Sequence, residues 1–220
     1  MRGGDAVVIA MILAAGRGER MRPLTDTVPK PLLEVRGKPL IVYHLEALGA
    51  AGFRDVVVNL SWHGERIRGL LGDGRGFGLR IEYSEESEAL ETAGGIVQAL
   101  PLLGERFVVI NADIFTDYDF GRLRQIGSRA HLVLVDNPGH NPEGDFTLEQ
   151  SIVGNDVSPR YTFSGIAQYR REFFDGLAAG KRALAPLLRA AADDHQVTGE
   201  LFRGGWVDIG TPGRLAALNE

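Results

Sequence analysis

Cysteine is absent from the 220-residue sequence, which excludes disulfides, thiolate zinc sites and a cysteine nucleophile. Long apolar segments are absent too, because the longest extend to about seven or eight residues, whereas a membrane-spanning helix needs about 20. No signal segment with a basic start and an apolar centre is recognisable. We therefore expect a soluble cytoplasmic protein that has no membrane partner.

The chain also lacks an excess of basic residues, since its formal net charge is −5 at pH 7. Such a chain has no overall positive field to attract nucleic acid, so we expect no nucleic-acid partner. Any polyanion must then be bound by a local cluster of cations. No internal repeat or low-complexity linker divides the sequence, and its length suits one domain with a sizeable core. We predict a single domain over residues 1–220.

Short β-branched segments alternate with helical patterns through most of the first 136 residues. Strands that are apolar nearly throughout, separated by helices, predict a mostly parallel sheet with helices on both faces. Ligands of such sheets bind at the carboxyl ends of the strands. From about residue 137, Gly, Pro and Asn separate short alternating stretches, which predicts a β-rich subregion on the same sheet. The predicted strands are 6–13, 55–60, 79–84, 106–113 and 131–136, and the predicted helices are 39–52, 63–73, 94–103 and 119–127.

The segment LAAGRGERMRPLTDTVPKP, residues 13–31, follows the first predicted strand. Its small residues allow a phosphate to approach main-chain N–H groups, and its cations can bind the same phosphate. This combination suits a nucleoside triphosphate, and the plain alternative is a βα turn with solvated arginines. The segment has neither the Gly-Lys-Ser/Thr of a P-loop nor the third small residue of a dinucleotide-binding fingerprint. The small residues are Ala14, Ala15, Gly16 and Gly18, and the cations are Arg17, Arg20, Arg22 and Lys30.

Two aspartates stand where strand-like segments end. Asp113 ends RFVVINAD, and Asp208 lies in GGWVDIGT. Magnesium usually takes one or two protein carboxylates and completes its octahedron with phosphate oxygens and water. Beside the cationic segment, this pair predicts a Mg²⁺ site, although each aspartate alone would be explained as a cap or a turn residue. Asn59, at the end of DVVVNL, is expected at the same edge of the sheet.

The run from Leu13 to Ile41, with its PLT and P-K-P motifs, resembles the signature of sugar-1-phosphate nucleotidylyltransferases. Further segments that resemble this family follow in its order, so the likeness extends over nearly the whole chain. The stretch LVLVDNPGH and the WVDIGT ending are most similar to the branch that transfers UMP from UTP to N-acetylmuramate α-1-phosphate in peptidoglycan recycling. The further segments are LETAGGI (90–96), VINAD (109–113), TFSGI (162–166) and WVDIGTP (206–212).

The resemblance implies a fold, a separate part of the chain for each of the two substrates, and a set of site residues. The fold would be an α/β, Rossmann-like three-layer nucleotidyltransferase (GT-A-like) fold with a small β-rich acceptor subregion. Residues 1–136 would bind the nucleotide and residues 137–220 the sugar phosphate. Catalytic roles would fall to Arg17, Lys30 and Asp113, and Mg²⁺ to Asp113 and Asp208. The nucleotide site would comprise Leu13, Ala14, Ala15, Gly16, Arg17, Gly18, Lys30, Asn59, Glu91 and Gly94, and the substrate site Glu91, Asn111, Gly165 and Arg203.

The implied reaction is an in-line displacement at phosphorus. An oxygen of the sugar 1-phosphate attacks the α-phosphorus of the triphosphate, and pyrophosphate leaves from the opposite side. The attacking phosphate is already ionised near neutral pH, so positioning and electrostatic stabilisation carry the catalysis. N-acetylmuramate carries a lactyl carboxylate, and a cation should face it, for which His140 and Arg203 are the candidates.

Other readings of the same residues stay open. The substrate could be mannose 1-phosphate with GTP, glucose 1-phosphate with dTTP or UTP, or phosphocholine with CTP. A noncatalytic nucleotide-sugar sensor is the second class, although a binder has less use for Lys30 together with both aspartates. Small molecules are the expected partners in every case, and we expect a monomer or a small homo-oligomer.

Overall fold

The computed structural model of the protein describes residues 8–156 and 159–220. Helices lie on both faces of a nine-stranded sheet, and two small two-stranded sheets flank it. No helix of the described ranges is long and apolar enough to cross a membrane. The strands are β1 (Ile9–Leu13), β2 (Glu34–Val35), β3 (Lys38–Pro39), β4 (Asp55–Leu60), β5 (Arg80–Glu85), β6 (Arg106–Asn111), β7 (Ile114–Thr116), β8 (Ala130–Val135), β9 (Phe146–Glu149), β10 (Ile152–Gly154), β11 (Arg160–Arg170), β12 (Val197–Phe202) and β13 (Trp206–Asp208). The helices are α1 (Leu40–Ala50), α2 (Gly64–Leu71), α3 (Glu91–Ala99), α4 (Ala185–Asp193) and α5 (Pro212–Asn219).

The large sheet has the strand order β5-β4-β1-β6-β11-β8-β12-β10-β9. The first four of these strands are parallel to one another. β11 is antiparallel to both of its neighbours, β6 and β8, whereas β12 is parallel to β8. β8 and β12 therefore run in the same direction as the first four strands. The prediction of a mostly parallel sheet is confirmed.

Side chains of the central strands alternate between two apolar cores. On β1, Ala10 and Ile12 face a core that includes Ile41 of α1 and Ile67 of α2. Met11 faces the opposite core, which includes residues of α3 and α4. Because both faces of these strands are covered, their sequences are apolar nearly throughout rather than alternating with polar residues. The three-layer arrangement that the resemblance implied is confirmed.

Several element bounds differ from the predictions for local physical reasons. Residues 6 and 7 of the predicted strand 6–13 lie outside the described residues. The predicted helix 94–103 begins earlier, at Glu91, and becomes a 3₁₀ helix at Leu100–Leu102, because Pro101 has no N–H to donate. The predicted helix 119–127 is a short 3₁₀ helix, Phe120–Gln125.

The second half contains a helix that the sequence analysis did not predict. The β-rich expectation is met by β9 to β13. Helix α4, however, follows β11 and precedes β12 along the chain, and it packs against the sheet. Its buried residues, Leu188 and Ala192, follow buried Leu184 at intervals of four. This spacing is the amphipathic helical signal, and it was detectable in the sequence.

His44 joins α1 to the strand that follows Asp113. The side chain is 2% exposed, and its ring lies near the backbone of Ile114. Burial lowers the pKa of His44 to about 4 from its usual 6.5, against smaller opposing effects of the Ile114 backbone and of the Asp113 charge. The imidazole is therefore neutral in the folded protein well below neutral pH.

We expect His44 to make the protein more sensitive to acid. The unfolded chain takes up a proton at His44 as the pH falls below about 6.5, whereas the folded protein does so only near 4. The stability due to this residue is complete above pH 6.5 and declines as the pH falls toward 4. Between pH 7.5 and 4.5, the free energy of unfolding should fall by about 2 to 3 kcal/mol more in the wild type than in His44→Asn. Urea unfolding of both proteins measures this difference, and equal declines would contradict it.

Candidate active site

Three parallel strands end side by side at one edge of the large sheet. Leu13 at the end of β1 is in register with Asn59 of β4 and with Asn111 of β6. A cavity of about 430 Å³ opens at this edge. It lies at the carboxyl ends of parallel strands, where α/β sheets bind ligands. Its lining is Leu13, Ala14, Ala15, Gly16, Gly18, Glu19, Arg20, Met21, Lys30, Pro31, Asn59, Glu86, Ala89, Glu91, Thr92, Asn111, Ala112, Asp113 and Gly210.

The loop after β1 folds back over the cavity at Gly18. This residue has a φ of 68°, in the left-handed region that favours glycine. A Cβ here would lie 3.0 Å from Thr25 Cγ2 and 3.2 Å from Lys30 Cβ. The Thr25 hydroxyl donates to the Gly18 carbonyl at 2.8 Å. Glycine therefore permits the close approach that brings the first and last parts of the loop together.

Lys30 and Asp113 form an ion pair in the wall of this cavity. Lys30 Nζ lies 2.5 Å from Asp113 Oδ2 although the residues are 83 positions apart. Lys30 is only 8% exposed, so its ammonium is held by the fold rather than by solvent. The predicted phosphate-binding cation and the predicted metal ligand are thus in direct contact.

Asp208 lies beside Asp113 because the short strand that contains Asp208 pairs with the strand that follows Asp113. β13 is antiparallel to β7, and the Ile209 N–H donates to the Asp113 carbonyl at 2.7 Å. The Asp208 carboxylate accepts a hydrogen bond from Arg214 Nη1 and lies 2.9 Å from His140 Nε2. Among the described residues, no group of three or more His, Asp or Glu side chains could hold a metal ion. The predicted pair of carboxylates is smaller than such a group, and both of its members contact cations, Lys30 and Arg214.

A series of buried hydrogen bonds connects the loop after β1 to the start of α3. Asn59 Oδ1 accepts from the Ala14 N–H at 2.7 Å, and Asn59 Nδ2 donates to Glu86 Oε1 at 2.6 Å. Glu86 Oε2 accepts from the Leu90 N–H at 3.0 Å. Sequence analysis missed Glu86, which is 6% exposed and lines the cavity. In the sequence, Glu86 belongs to an acidic run that is typical of a solvated loop. Its contacts with Asn59 and Leu90 in the structure distinguish it from the other acidic residues of that run.

Arg20 and Arg17, two of the three arginines of the loop, are placed differently. Arg20 lines the cavity. The Arg17 guanidinium lies 4.0 Å from the centroid of the Trp62 ring, a cation–π distance. Within the part of the chain that the structure describes, Arg17 is not among the residues that line the cavity. A ligand in the cavity would therefore meet Arg20 and Lys30 directly, and Arg17 would have to leave Trp62 to reach it.

A second cavity, of about 460 Å³, adjoins the first. Glu91, Thr92 and Asn111 line both cavities, so the two spaces meet at these residues. Glu91 has a left-handed φ of 60° and lies 3.6 Å from Lys181 Nζ. The rest of the second lining is apolar apart from one carboxylate and one cation. It consists of Asp145, Phe146, Phe163, Ala183, Leu184, Ala185, Leu188 and Arg189.

Gly165 supports the junction without lining it. It has a φ of 80° at the irregularity of β11, between Phe163 and Ile166. A Cβ at Gly165 would lie 2.5 Å from Asn111 Nδ2. Glycine therefore leaves the space that the Asn111 side chain occupies where the cavities meet.

Gly94 is buried in the first turn of α3. Its N–H and that of Ala93 donate to the Arg182 carbonyl at 3.1 and 3.0 Å. These two donors at the helix start are already used within the protein. The sequence reasoning placed Gly94 in the nucleotide site, and the structure places it beneath that site, against residues 180–182.

The two predicted acceptor cations lie apart from the second cavity. Arg203 is 68% exposed and lies 3.9 Å from Asp136 Oδ2. His140 contacts Asp208 and Arg214. Over residues 8–156 and 159–220, neither Arg203 nor His140 is part of the lining of either cavity.

Comparisons of the sequence with known proteins identify relatives. Residues 9–141 match the family model described as nucleotidyl transferase. The chain is 52% identical over 221 residues to the N-acetylmuramate alpha-1-phosphate uridylyltransferase of Neisseria meningitidis serogroup B, and the alignment covers 94% of each chain. It is 31% identical to a mannose-1-phosphate guanyltransferase of Gibberella zeae, over 92% of this chain but 60% of that protein.

Solved structures share the fold. A Bacillus anthracis protein assigned as a glucose-1-phosphate thymidylyltransferase, crystallised with sucrose, superposes with a TM-score of 0.84 at 22% identity, over 96% of this chain and 94% of that one. HddC from Yersinia pseudotuberculosis, complexed with GMP-PN, has a TM-score of 0.77 at 19% identity, over 96% and 97%. These structures show the Rossmann-like fold, and the sequence matches show the family. The chain belongs to the nucleotidyl transferase family and is a sugar-1-phosphate nucleotidyltransferase.

Proposed function

We propose that this enzyme transfers UMP from UTP to N-acetylmuramate α-1-phosphate, giving UDP-N-acetylmuramate and pyrophosphate. The observation that carries the proposal is the 52% identity, over 94% of both chains, to the Neisseria uridylyltransferase for this sugar. The similarity to the guanyltransferase is much lower, at 31%. The reaction would place the enzyme in the cytoplasm, in the recycling of peptidoglycan sugars.

Two adjoining cavities suit a reaction between two substrates. In this proposal the triphosphate occupies the cavity beside the β1 loop, and the sugar occupies the second cavity. The reacting phosphates would then meet near Asn111, which lines both. Bringing two polyanions together is the main difficulty of the reaction, because neither is neutral near pH 7.

The chain offers fixed cations and N–H groups to offset this charge. Lys30 is buried at the cavity wall, where an ammonium can stabilise charge on the α-phosphate and on the attacking oxygen. Arg20 lines the same cavity and can bind the outer phosphates. The main chain at Ala15 and Gly16 lies in the lining and allows close approach of phosphate oxygens. No protein nucleophile is needed, since the acceptor phosphate attacks.

Mg²⁺ is the metal ion that we propose for Asp113 and Asp208. The donor set fits, because magnesium usually takes one or two carboxylates and fills its other positions with phosphate oxygens and water. When bound, the ion would supply a Lewis acid that offsets phosphate charge. Lys30 and Arg214 now contact these carboxylates. Asp113 and Asp208 would hold the ion, and Lys30, which lines the first cavity, would be available to contact a substrate phosphate there.

The proposal is tested by measuring pyrophosphate release from combinations of nucleotide and sugar. UTP, GTP, CTP and dTTP would each be combined with the 1-phosphates of N-acetylmuramate, N-acetylglucosamine, mannose and glucose. We expect the highest kcat/KM for UTP with N-acetylmuramate 1-phosphate. Asp113→Asn serves as the blank for contaminating activity. A higher kcat/KM for GTP with mannose 1-phosphate would refute the proposed substrates and leave the family assignment intact.

Neutralising either metal carboxylate should abolish most of the activity. Asp113→Asn and Asp208→Asn keep the side-chain shape but remove the ligand charge, so turnover with Mg²⁺ should fall by about 100-fold or more. Asp136→Asn is the matched control, because Asp136 is exposed and pairs with Arg203 outside both cavities. Each variant also weakens a cation contact, that of Asp113 with Lys30 or that of Asp208 with Arg214, so both variants are needed. Near-wild-type turnover in both variants would remove the metal assignment.

Lys30 and Arg20 should affect different kinetic constants. Lys30→Ala should lower kcat by about 100-fold to 1,000-fold, because its charge acts at the reacting phosphate. Arg20→Ala should mainly raise the KM for the nucleotide, because charge on the outer phosphates changes less during reaction. Arg22→Ala is the control within the same loop, where Arg22 is exposed and pairs with Asp26. If Lys30→Ala raised KM at unchanged kcat, the role given to Lys30 would be wrong.

A further inference from the structure

We infer that Arg189 binds the carboxylate of the acceptor sugar and so selects N-acetylmuramate over N-acetylglucosamine. This inference rests on the proposed function, because it assigns the sugar to the second cavity. It replaces the sequence-based candidates, His140 and Arg203, with a residue of α4 that lines that cavity.

Arg189 is an exposed residue that lines the second cavity. Its guanidinium carbon lies 5.4 Å from the centroid of the Phe146 ring, and Nη1 makes a long contact of 3.4 Å with the Asp145 carbonyl. Within residues 8–156 and 159–220, no carboxylate oxygen lies within 4.0 Å of the guanidinium nitrogens. By contrast, Lys181 pairs with Glu91 at 3.6 Å, and Arg203 pairs with Asp136 at 3.9 Å. Among the described residues that line the second cavity, Arg189 is the one cation, and its guanidinium is in no ion pair within 4.0 Å.

The remaining lining suits the rest of the acceptor. Phe146, Phe163 and Leu184 give apolar surface for the acetyl and lactyl methyl groups. The Asp145 carboxylate already accepts from the Phe163 N–H at 2.8 Å and from Asn141 Nδ2 at 3.3 Å. A lactyl carboxylate that left water for this cavity would need a charged donor, because an unpaired anion is costly to bury. Arginine offers two parallel N–H groups to such a carboxylate.

Three acceptors that differ at the lactyl group can test this inference. N-acetylmuramate 1-phosphate would be compared with the analogue whose lactyl carboxylate is a carboxamide, and with N-acetylglucosamine 1-phosphate, which has no lactyl group. With UTP fixed, the wild type should use the carboxylate substrate best. In Arg189→Met, kcat/KM for that substrate should fall by about 10-fold to 100-fold, mainly through KM, because a hydrogen bond to a charged group is lost. For the two uncharged acceptors, kcat/KM should change by less than about threefold, so preference for the carboxylate disappears.

The controls separate recognition from folding. Arg189→Lys keeps the charge without the planar donor pair and should retain part of the preference. Arg203→Met removes the exposed arginine that directly follows β12 and should leave the preference for the carboxylate substrate intact. Retained turnover of N-acetylglucosamine 1-phosphate by Arg189→Met shows that the variant is folded.

Different kinetic results would contradict the inference about Arg189 and the proposed acceptor sugar. Equal loss for all three acceptors in Arg189→Met would show a structural role and overturn the inference. A wild-type preference that persists in Arg189→Met, or that Arg203→Met alone abolishes, would overturn it and leave the proposed function standing. A wild type that uses N-acetylmuramate and N-acetylglucosamine 1-phosphates equally would overturn the proposed sugar and the inference together.

Discussion

The contact between Lys30 and Asp113 is the constraint on which the rest of the site depends. It joins the end of the β1 loop to the end of β6 across a span of 83 positions, with Nζ 2.5 Å from Oδ2. The loop must therefore leave β1, turn at Gly18 and return to the same sheet edge within 17 residues of Leu13. The cavity is the space that this return path encloses.

The same contact fixes the state of the site before substrates bind. A cation and a carboxylate that pair with each other satisfy most of each other's charge, so neither is left unpaired in the cavity wall. The contact of Arg214 with Asp208, at the end of β13, has the same effect on that carboxylate. In the proposed function, phosphate oxygens would meet the cations of these pairs and a metal ion would meet their carboxylates. The ion pairs hold all four side chains in place without a ligand.

Local sequence patterns predicted the features that have local causes. The apolar strands, the small residues after Leu13 and the aspartate after β6 follow from burial, turn chemistry and strand ends, and each is where the sequence indicated. Helix α4 also has a local signal, since Leu184, Leu188 and Ala192 recur every four residues. It was missed because glycine and proline nearby suggested strands and turns.

Features that depend on distant contacts were not predictable in this way. Glu86 stands in an acidic run, and nothing in that run shows that Asn59, 27 positions earlier, holds its carboxylate in the interior. Arg17 has the sequence context of a phosphate ligand, yet its guanidinium lies over Trp62 on the next connection of the fold. Arg203 is close in sequence to a site motif but faces Asp136. Side-chain direction, rather than residue type, decides these three cases.

The two cavities divide the chain in a way that bears on specificity. Apart from Gly210, every residue that lines the first cavity lies within residues 9–141, the range that matches the general nucleotidyl transferase family. Most of the second lining, from Asp145 to Arg189, follows that range. Lys30 and Asp113, to which the proposed function gives charge offset at the phosphates, thus lie within the range that matches the family, whereas Asp208 follows it. In the proposed function, recognition of the acceptor would depend on β9, β11 and α4, which supply most of the second lining and take no part in the contact between Lys30 and Asp113. Because Glu91, Thr92 and Asn111 line both cavities, the reacting phosphates would meet at the same place for different acceptor sugars.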